Sequence, residues 1–260
     1  MDPFNVTLMS VYRVFLVMFR TGGLMMTVPV FGHVSIPRIL RVWFVILTAL
    51  LVLPSSVVAD IQPPSTVFHL MLVIFSEIAI GVLMGFTVII VFSAVQFAGH
   101  IIGLEMGLAV ANIIDPMGAG QISIIGEFYY LLSLLFFLLI NGHHFLIEAL
   151  AQCFEFVPVG AAVFGPNIEN FFIDLTVMMF VTGVKFAAPV IITLFIMNAV
   201  LGIVARTVPQ MNVFVVGFPL AIGAGLALIG LSFPFFFSAL NTAFNGLERD
   251  IVILIRMFQG

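Results

Sequence analysis

Six long apolar blocks alternate with short polar, Pro-rich or Gly-rich connections along the chain. The blocks are 6–30, 39–59, 67–97, 122–140, 171–205 and 213–240. Most of them reach the roughly 20 residues that an α-helix needs to cross a bilayer. Hydrophobic runs of this length predict an all-α protein whose helices lie in or against a membrane.

The segment from Ala205 to Pro219, with the sequence ARTVPQMNVFVVGFP, interrupts this pattern between the last two blocks. It places an Arg, two prolines, a Gln and an Asn where two spans need only a short loop. An unpaired backbone polar group is costly in hydrocarbon, so such a segment at membrane depth must be buried in protein or line a cavity. The pattern therefore indicates a subunit that partner proteins complete.

Composition places the chain among integral membrane proteins. Hydrophobic residues make up 63% of the 260 positions, charged residues make up 8%, and the mean hydropathy is +1.31, more than a soluble domain can bury. Lys185 is the only Lys beside seven Arg, and these residues form no polybasic patch. We therefore expect no nucleic-acid partner. Because Cys153 is the only cysteine, no intrachain disulfide is possible.

Ionisable residues lie inside several of the apolar blocks. They are Arg13, Arg20, Glu77, Glu127, Asp174 and Lys185. A lipid-facing charge at a helix centre costs about 2.5 to 3.5 kcal/mol, so these side chains should face protein or water. We favour a structural role, by snorkelling or by pairing between helices, and the alternative is that they line an aqueous path.

Three glycines at four-residue spacing follow the third apolar block. Gly99, Gly103 and Gly107 lie in the sequence GHIIGLEMG, where this spacing predicts a smooth helix face on which another backbone packs closely. Glu105 is two residues from Gly103 and therefore points to the opposite face. We regard Glu105 as a candidate for contact with a pore or a partner.

The next segment, AVANIIDPMGAG from Ala109 to Gly120, combines apolar side chains with turn-forming residues. Asp115, Pro116 and the nearby glycines prevent a continuous helix and favour turns. One interpretation is an ordinary connection between helices, because Pro and Gly clusters usually mark loops. The sharper interpretation is a mobile hydrophobic plug, because apolar constrictions can gate a pore by dewetting.

Motifs of known enzyme classes are absent from the sequence. It contains no GxxxxGK[ST], HExxH, GxSxG or CxxC, so nucleotide hydrolysis, zinc catalysis and serine-hydrolase chemistry have no support. The adjacent pair His143 and His144 is the best metal-like candidate, but no acidic partner lies at a standard ligand spacing. We predict that this pair marks a turn or a helix end, and that the protein binds no metal or cofactor.

Four motifs, in a specific order from about Phe15 to Leu231, carry a family resemblance. They are RTGGLMMTVPVFG, GLEMGLAVANIIDPMGAGQISIIGEF, LFFLLINGHH and FAAPVIITLFIMNAVLGIVARTVPQMNVFVVGFPLAIG. They resemble the FliR family of flagellar biosynthesis proteins and its injectisome counterparts. The resemblance implies a non-enzymatic subunit of the type III export gate, located in the bacterial inner membrane at the flagellar basal body. It also implies contact with FliP, FliQ, FlhB, FlhA, membrane lipid and unfolded export substrates.

The resemblance also implies a particular architecture. Family members are all-α and consist of broken, tilted helical hairpins that pack with FliP and FliQ into a helical, hetero-oligomeric channel. By this resemblance, about 1–170 is a FliP-like portion, about 171–240 is a FliQ-like hairpin, and 241–260 is an amphipathic C-terminal tail. Charges that are costly in six simple spans would then be buried between subunits.

Site residues follow from the same resemblance. The channel plug of the family corresponds to Gly107 to Gly120, where Asp115 and Pro116 set the shape. Its apolar bulk would come from Leu108, Val110, Ile113, Ile114 and Met117. Contacts with FliQ or FlhB would come from the turn of the FliQ-like hairpin, at Arg206, Gln210 and Asn212.

Two other functions are compatible with parts of the sequence. The first is a secondary transporter with a midplane site formed by Glu77, Glu127, Asp174 and Lys185, although no internal repeat supports it. The second is a structural scaffold that has no part in a conduit. It differs from the export-gate hypothesis only in whether the segment from Gly107 to Gly120 faces a pore.

Overall fold

The protein is largely helical. A computed structural model describes residues 3–33, 35–53, 66–108, 123–207 and 213–259. Within these ranges the helices are α1 (Pro3–Thr27), α2 (Pro29–Gly32), α3 (Arg38–Val52), α4 (Val67–Glu105), α5 (Ile124–Leu139), α6 (Gly142–Phe156), α7 (Ile168–Thr207) and α8 (Val213–Met257). The same ranges contain no β-strand, only an isolated bridge between Val163 and Gln259. The all-α prediction is confirmed.

Three helices in the described part of the chain, α4, α7 and most of α8, are long and apolar enough to cross a membrane. The successive helices α5 and α6 add a fourth candidate if they count as one span, bent by 66° at the break between them. Asn141 lies in this break with φ 60°, a left-handed conformation that cannot continue a helix. The predicted membrane association is therefore confirmed.

The long helices differ in how far the chain itself covers them. About half of the most apolar window of α4 is buried (56%), against 17% for α7 and 22% for the candidate span of α8. With 39 residues, α4 is about 58 Å long, roughly twice the thickness of the hydrocarbon core. The apolar surfaces of α7 and α8 therefore need lipid or other subunits to cover them.

The chain divides into two compact units. Unit 1 comprises Met1–Ile90, Phe137–Leu175 and Asn245–Gly260, and unit 2 comprises Val91–Phe136 and Thr176–Phe244. The helix α8 continues from unit 2 into unit 1 without ending near residue 240. The predicted division into a FliP-like portion, a FliQ-like hairpin and a tail stays a prediction.

Close contact between α1 and α4 organises unit 1. A Cβ added at Gly23 would lie 2.7 Å from the main-chain oxygen of Ile78, and one added at Gly81 would collide with the main-chain oxygen of Arg20. Only residues without a side chain permit this approach, so the two helices meet backbone to backbone. Helix α3 packs on α1 from another side, where Val45 is buried.

Aromatic side chains form much of the core of unit 2. Phe236 of α8 lies 4.7 Å from Tyr129 of α5 and 5.7 Å from Phe186 of α7, measured between ring centroids. Phe186 and Phe236 lie at nearly equal distances along the chain from the connection between α7 and α8. The two helices therefore run antiparallel in this unit and form a hairpin.

Candidate functional site

A buried ion pair in unit 1 joins α1 to α4. The Nε of Arg20 lies 2.7 Å from the Oε2 of Glu77, and its Nη2 lies 3.1 Å from Oε1, so the guanidinium donates both bonds of a bidentate pair. Both side chains are fully buried. A charge-assisted pair of this geometry is compatible with burial because each ion has its counterion within direct contact.

The remaining polar groups of this cluster also have partners. Arg20 donates from Nη1 to the main-chain oxygen of Val157 at 2.8 Å, and its guanidinium lies 4.3 Å from the ring centroid of Phe154. The main-chain N–H of Gly160 donates to Oε1 of Glu77 at 2.8 Å. Structural pairing, favoured for the charges in the apolar blocks, is confirmed for Arg20 and Glu77.

The other charges of the proposed transporter site have different surroundings. Asp174 and Lys185 are exposed on α7, and Glu127 is half-buried in the first turn of α5. The carboxylate of Glu77 already accepts hydrogen bonds from the Arg20 guanidinium and the Gly160 N–H. The structure therefore provides no separate support for an ion site built on Glu77.

The loop stem consists of 99–108 at the end of α4 and 123–126 at the start of α5, and it flanks the predicted plug. A Cβ added at Gly99 would lie 2.6 Å from the Cα of Gly126 and 2.7 Å from the main-chain oxygen of Ile125. One turn later, a Cβ at Gly103 would lie 3.2 Å from the Oγ of Ser123. The end of α4 and the start of α5 are therefore in close contact, and at Gly99 the two backbones touch directly.

Ser123 immediately precedes α5 and joins it to α4 by hydrogen bonds. Its Oγ accepts a hydrogen bond from the N–H of Gly126 at 3.1 Å, and its main-chain oxygen accepts one from Glu127 at 2.8 Å. The first bond satisfies an N–H group that lacks a partner in the first turn of a helix, and the second is the first i→i−4 bond of α5. The Ser123 hydroxyl also donates to the main-chain oxygen of Gly99, at 3.5 Å.

Gly107 ends α4. The φ of Gly107 is 79°, and the N–H of Gly107 donates a hydrogen bond to the main-chain oxygen of Leu104 at 2.9 Å. The N–H of Leu108 donates to the main-chain oxygen of Gly103 at 3.0 Å. This pair of bonds with a left-handed glycine is a Schellman motif, which satisfies the last carbonyls of a helix. The structure places the third glycine of the predicted packing face at the position where the helix stops.

Helices α7 and α8 hold this end of α4 within unit 2. The Nδ2 of Asn198 donates to the main-chain oxygen of Glu105 at 3.2 Å. A Cβ added at Gly107 would lie 2.6 Å from the ring of Phe218, and one added at Gly225 would lie 2.6 Å from the side chain of Met106. The last turn of α4 is therefore fixed by its backbone, whereas the Glu105 side chain is half-exposed.

Most of the predicted plug lies outside the described residues. Leu108 is described and half-buried, whereas Val110, Ile113, Ile114, Asp115, Pro116 and Met117 fall in 109–122, which the structure does not describe. Arg206 is exposed in the last turn of α7. Gln210 and Asn212 also lie outside the described residues.

Comparison with known proteins decides the family. The model of the family described as "Bacterial export proteins, family 1" matches residues 11–247. The chain belongs to this family. The match includes the ion pair in unit 1, the loop stem, all of α7, and α8 as far as residue 247.

Relatives named flagellar biosynthetic protein FliR match over most of their length. The protein from Bacillus subtilis (strain 168) is 35% identical over 92% of this chain and 93% of its own. The protein from Escherichia coli (strain K12) is 34% identical over 83% and 82%. The protein from Aquifex aeolicus (strain VF5) is 31% identical over 100% and 97%. The predicted FliR resemblance is therefore confirmed.

The structure of this FliR-family chain contains a further packing motif, which is not among the predictions from the sequence. Gly81 and Gly85 on α4 lie against α1, where a Cβ at Gly85 would be 2.6 Å from Thr27 Cβ. Their four-residue spacing is the same small-residue signal that was recognised at Gly99 and Gly103. In the middle of an apolar block this signal is less distinct, because no polar residue marks the pair.

The histidine pair lies at a helix start. His143 and His144 lie in the first turn of α6, which begins at Gly142 after the left-handed Asn141. This is the helix-end position that the sequence predicts. Among the described residues, no group of three or more His, Cys, Asp or Glu side chains is arranged to hold a metal ion.

Proposed function

We propose that this chain is a non-enzymatic core subunit of the flagellar type III protein export gate, located in the bacterial inner membrane at the basal body. The observation that carries the proposal is the match of residues 11–247 to a family of bacterial export proteins, together with relatives named FliR that align over most of their length. In this role the chain contributes to flagellum assembly by letting export substrates pass the membrane.

The partners we propose are FliP and FliQ in a shared channel for unfolded substrates, with FlhB and FlhA as further contacts. The exposed apolar surfaces of α7 and α8 are compatible with this assembly, because a chain that covers so little of its own long helices requires lipid or other subunits against them. Arg206, Gln210 and Asn212, at and after the end of α7, would contact FliQ or FlhB.

A plug is the proposed role of 107–120. The loop stem supports it in two ways. The Schellman motif at Gly107 turns the chain away from α4, and Ser123 starts α5 beside Gly99, so both ends of the segment are anchored at one place. An apolar segment anchored in this way can occupy a pore without being part of the helical wall.

The native mass of the detergent-extracted chain, produced alone and together with FliP and FliQ from the same source, tests the proposal. We expect a discrete larger assembly that contains all three proteins. A matched control replaces the chain with a variant that carries Gly99→Trp, which should disrupt the stem and lower the yield of the assembly. A stable solitary monomer or dimer that ignores both partners would overturn the proposed function.

A further inference from the structure

The outward face of α3 is apolar over nearly its whole length. The exposed residues after Arg38 are Ile39, Leu40, Val42, Trp43, Phe44, Leu47, Leu50 and Leu51. The opposite face is buried in unit 1 at Val45, Thr48, Ala49 and Val52. An exposed apolar face of this size needs an occupant.

The sizes of the side chains favour lipid as that occupant. Helices that pack on other helices in membranes place small residues at the contact so that the backbones approach closely. The small residues of α3, Thr48 and Ala49, face its own unit, and a Cβ at Gly22 of α1 would lie 3.7 Å from Val45. The outward face carries only large, branched or aromatic side chains, which suit a fluid environment better than a close helix contact.

The ends of α3 differ in polarity in the way that a membrane boundary requires. The helix starts with exposed Arg38, and Trp43 follows with 56% of its surface exposed. Arg41 donates to the main-chain oxygens of Ile36 and Gly32, so its guanidinium holds the preceding turn. A cation at a helix N-terminus opposes the helix dipole, and a lipid phosphate beside Arg38 would offset this cost. Arg and Trp are also typical of the headgroup level.

We infer that α3 is a lipid-facing anchor that enters one leaflet of the bilayer. Arg38 and Trp43 lie at the headgroup level, and Leu47 to Leu51 lie among the acyl chains. Its 15 residues span about 22 Å, less than the roughly 30 Å of the hydrocarbon core, so α3 alone does not cross the membrane. This inference does not depend on the proposed role in export.

Trp43 makes the inference directly measurable, because it is the only Trp in the sequence. The full chain is reconstituted in phosphatidylcholine and phosphatidylglycerol vesicles that contain lipids brominated either near the headgroup or near the end of the acyl chain. Bromine quenches Trp emission only on close approach. We expect a larger loss of Trp43 emission with the shallow bromine than with the deep bromine.

A matched variant moves the reporter along the same face. Trp43→Phe combined with Leu51→Trp places the Trp about 12 Å further along the helix. We expect the order of quenching to reverse, with the deep bromine more effective. Equal profiles for the two proteins would overturn the inference, since the helix would then lie flat in the interface. So would an absence of quenching by either lipid.

Co-reconstitution with FliP and FliQ separates lipid from protein as the occupant. The Trp43→Phe variant supplies the background emission of the partners, which is subtracted. We expect the shallow quenching of Trp43 to persist in the assembly. If quenching disappears when the partners bind, a subunit covers this face and the inference is wrong.

Discussion

Arg20 and Glu77 form a fully buried, bidentate ion pair that holds α1 against α4, with 2.7 Å between Nε and Oε2. Gly81 brings the two helix backbones together one turn further along α4. The main chain of the segment that follows α6 completes the cluster through Val157 and Gly160. The pair therefore joins three parts of unit 1 that are far apart in sequence.

Removing one partner of this pair should be strongly destabilising. We expect Arg20→Met or Glu77→Gln to lower the free energy of unfolding by about 3 to 5 kcal/mol, because the remaining charge stays buried without its counterion. The measurement is denaturant-induced unfolding of the purified chain in detergent. Glu155→Gln, at an exposed position on the neighbouring α6, should stay within about 0.5 kcal/mol of the parent. If Arg20→Met and Glu77→Gln have additive costs when combined, the two side chains are not coupled.

The contact between Gly99 and Gly126 predicts a contrast between two glycines. Gly99→Ala places a Cβ against backbone atoms that cannot move aside, and should cost about 1 to 3 kcal/mol of unfolding free energy. Gly202→Ala in α7 meets nothing within 4 Å and should stabilise the chain by up to about 1 kcal/mol, since Ala is the better helix former. Thermal unfolding of both variants checks this contrast. Equal effects would mean that the stem does not pack as described.

Gly107 and Gly160 share a left-handed conformation but differ in their neighbours. Gly160→Ala has only Val73 at 3.7 Å and should cost about 1 to 2 kcal/mol for the backbone conformation alone. Gly107→Ala should cost more, because its Cβ also meets the ring of Phe218. Combining it with Phe218→Leu should recover part of the difference in unfolding free energy. No recovery would exclude the ring contact as the cause.

Asn198 and Glu105 allow the main chain and the side chain to be tested separately. Asn198→Leu removes the hydrogen bond to the Glu105 main-chain oxygen and should cost about 0.5 to 1.5 kcal/mol. Glu105→Ala leaves this bond in place, so we expect unchanged stability but reduced export if the carboxylate faces a pore or a partner. Export is measured by secretion of flagellar substrates from cells that carry the variant. Export and complex yield that both stay at the parent level would exclude either role.

Deletion of Ala109 to Ala119 tests the proposed plug. We expect the assembled gate to leak small ions, because the apolar obstruction is removed while the loop stem remains. Membrane conductance of the reconstituted assembly is the measurement. A Gly and Ser replacement of equal length keeps the chain connection and should leak as well, which separates loss of apolar bulk from shortening. Unchanged conductance with normal assembly would contradict the plug.

The sequence predicts the long helices because long apolar runs leave few alternatives, whereas α6 lies outside the six apolar blocks. The sequence predicts that Arg20 and Glu77 are paired with something, but it cannot select their partners, since several opposite charges lie at comparable depth in other blocks. Tertiary packing also decides where α8 ends. The last apolar block of the sequence ends at residue 240, yet α8 reaches Met257. Burial of Leu247, Ile251 and Leu254 in unit 1 accounts for this continuation.

The candidate site is predictable in part for a similar reason. The spacing of Gly99 and Gly103 indicates a close approach, but only the fold identifies Gly126 and Ser123 as the partners. Glycine can permit close packing or end a helix, and the spacing of glycines does not tell these two roles apart at Gly107. Its position in the glycine series suggests packing, whereas its φ of 79° ends the helix. Sequence spacing carries no information about which backbone conformation a glycine adopts.

Because of the loop stem, we expect α4 and α5 to pack in the same way when the segment between Leu108 and Ser123 is changed. The glycine contacts and the Ser123 hydrogen bonds join α4 to α5 directly, so the packing of these two helices does not depend on the residues between them. The entropy of closing a loop changes only slowly with its length, so longer or shorter versions are tolerated at small cost. We therefore expect changes in the length and polarity of this segment to leave the packing of the surrounding helices unchanged.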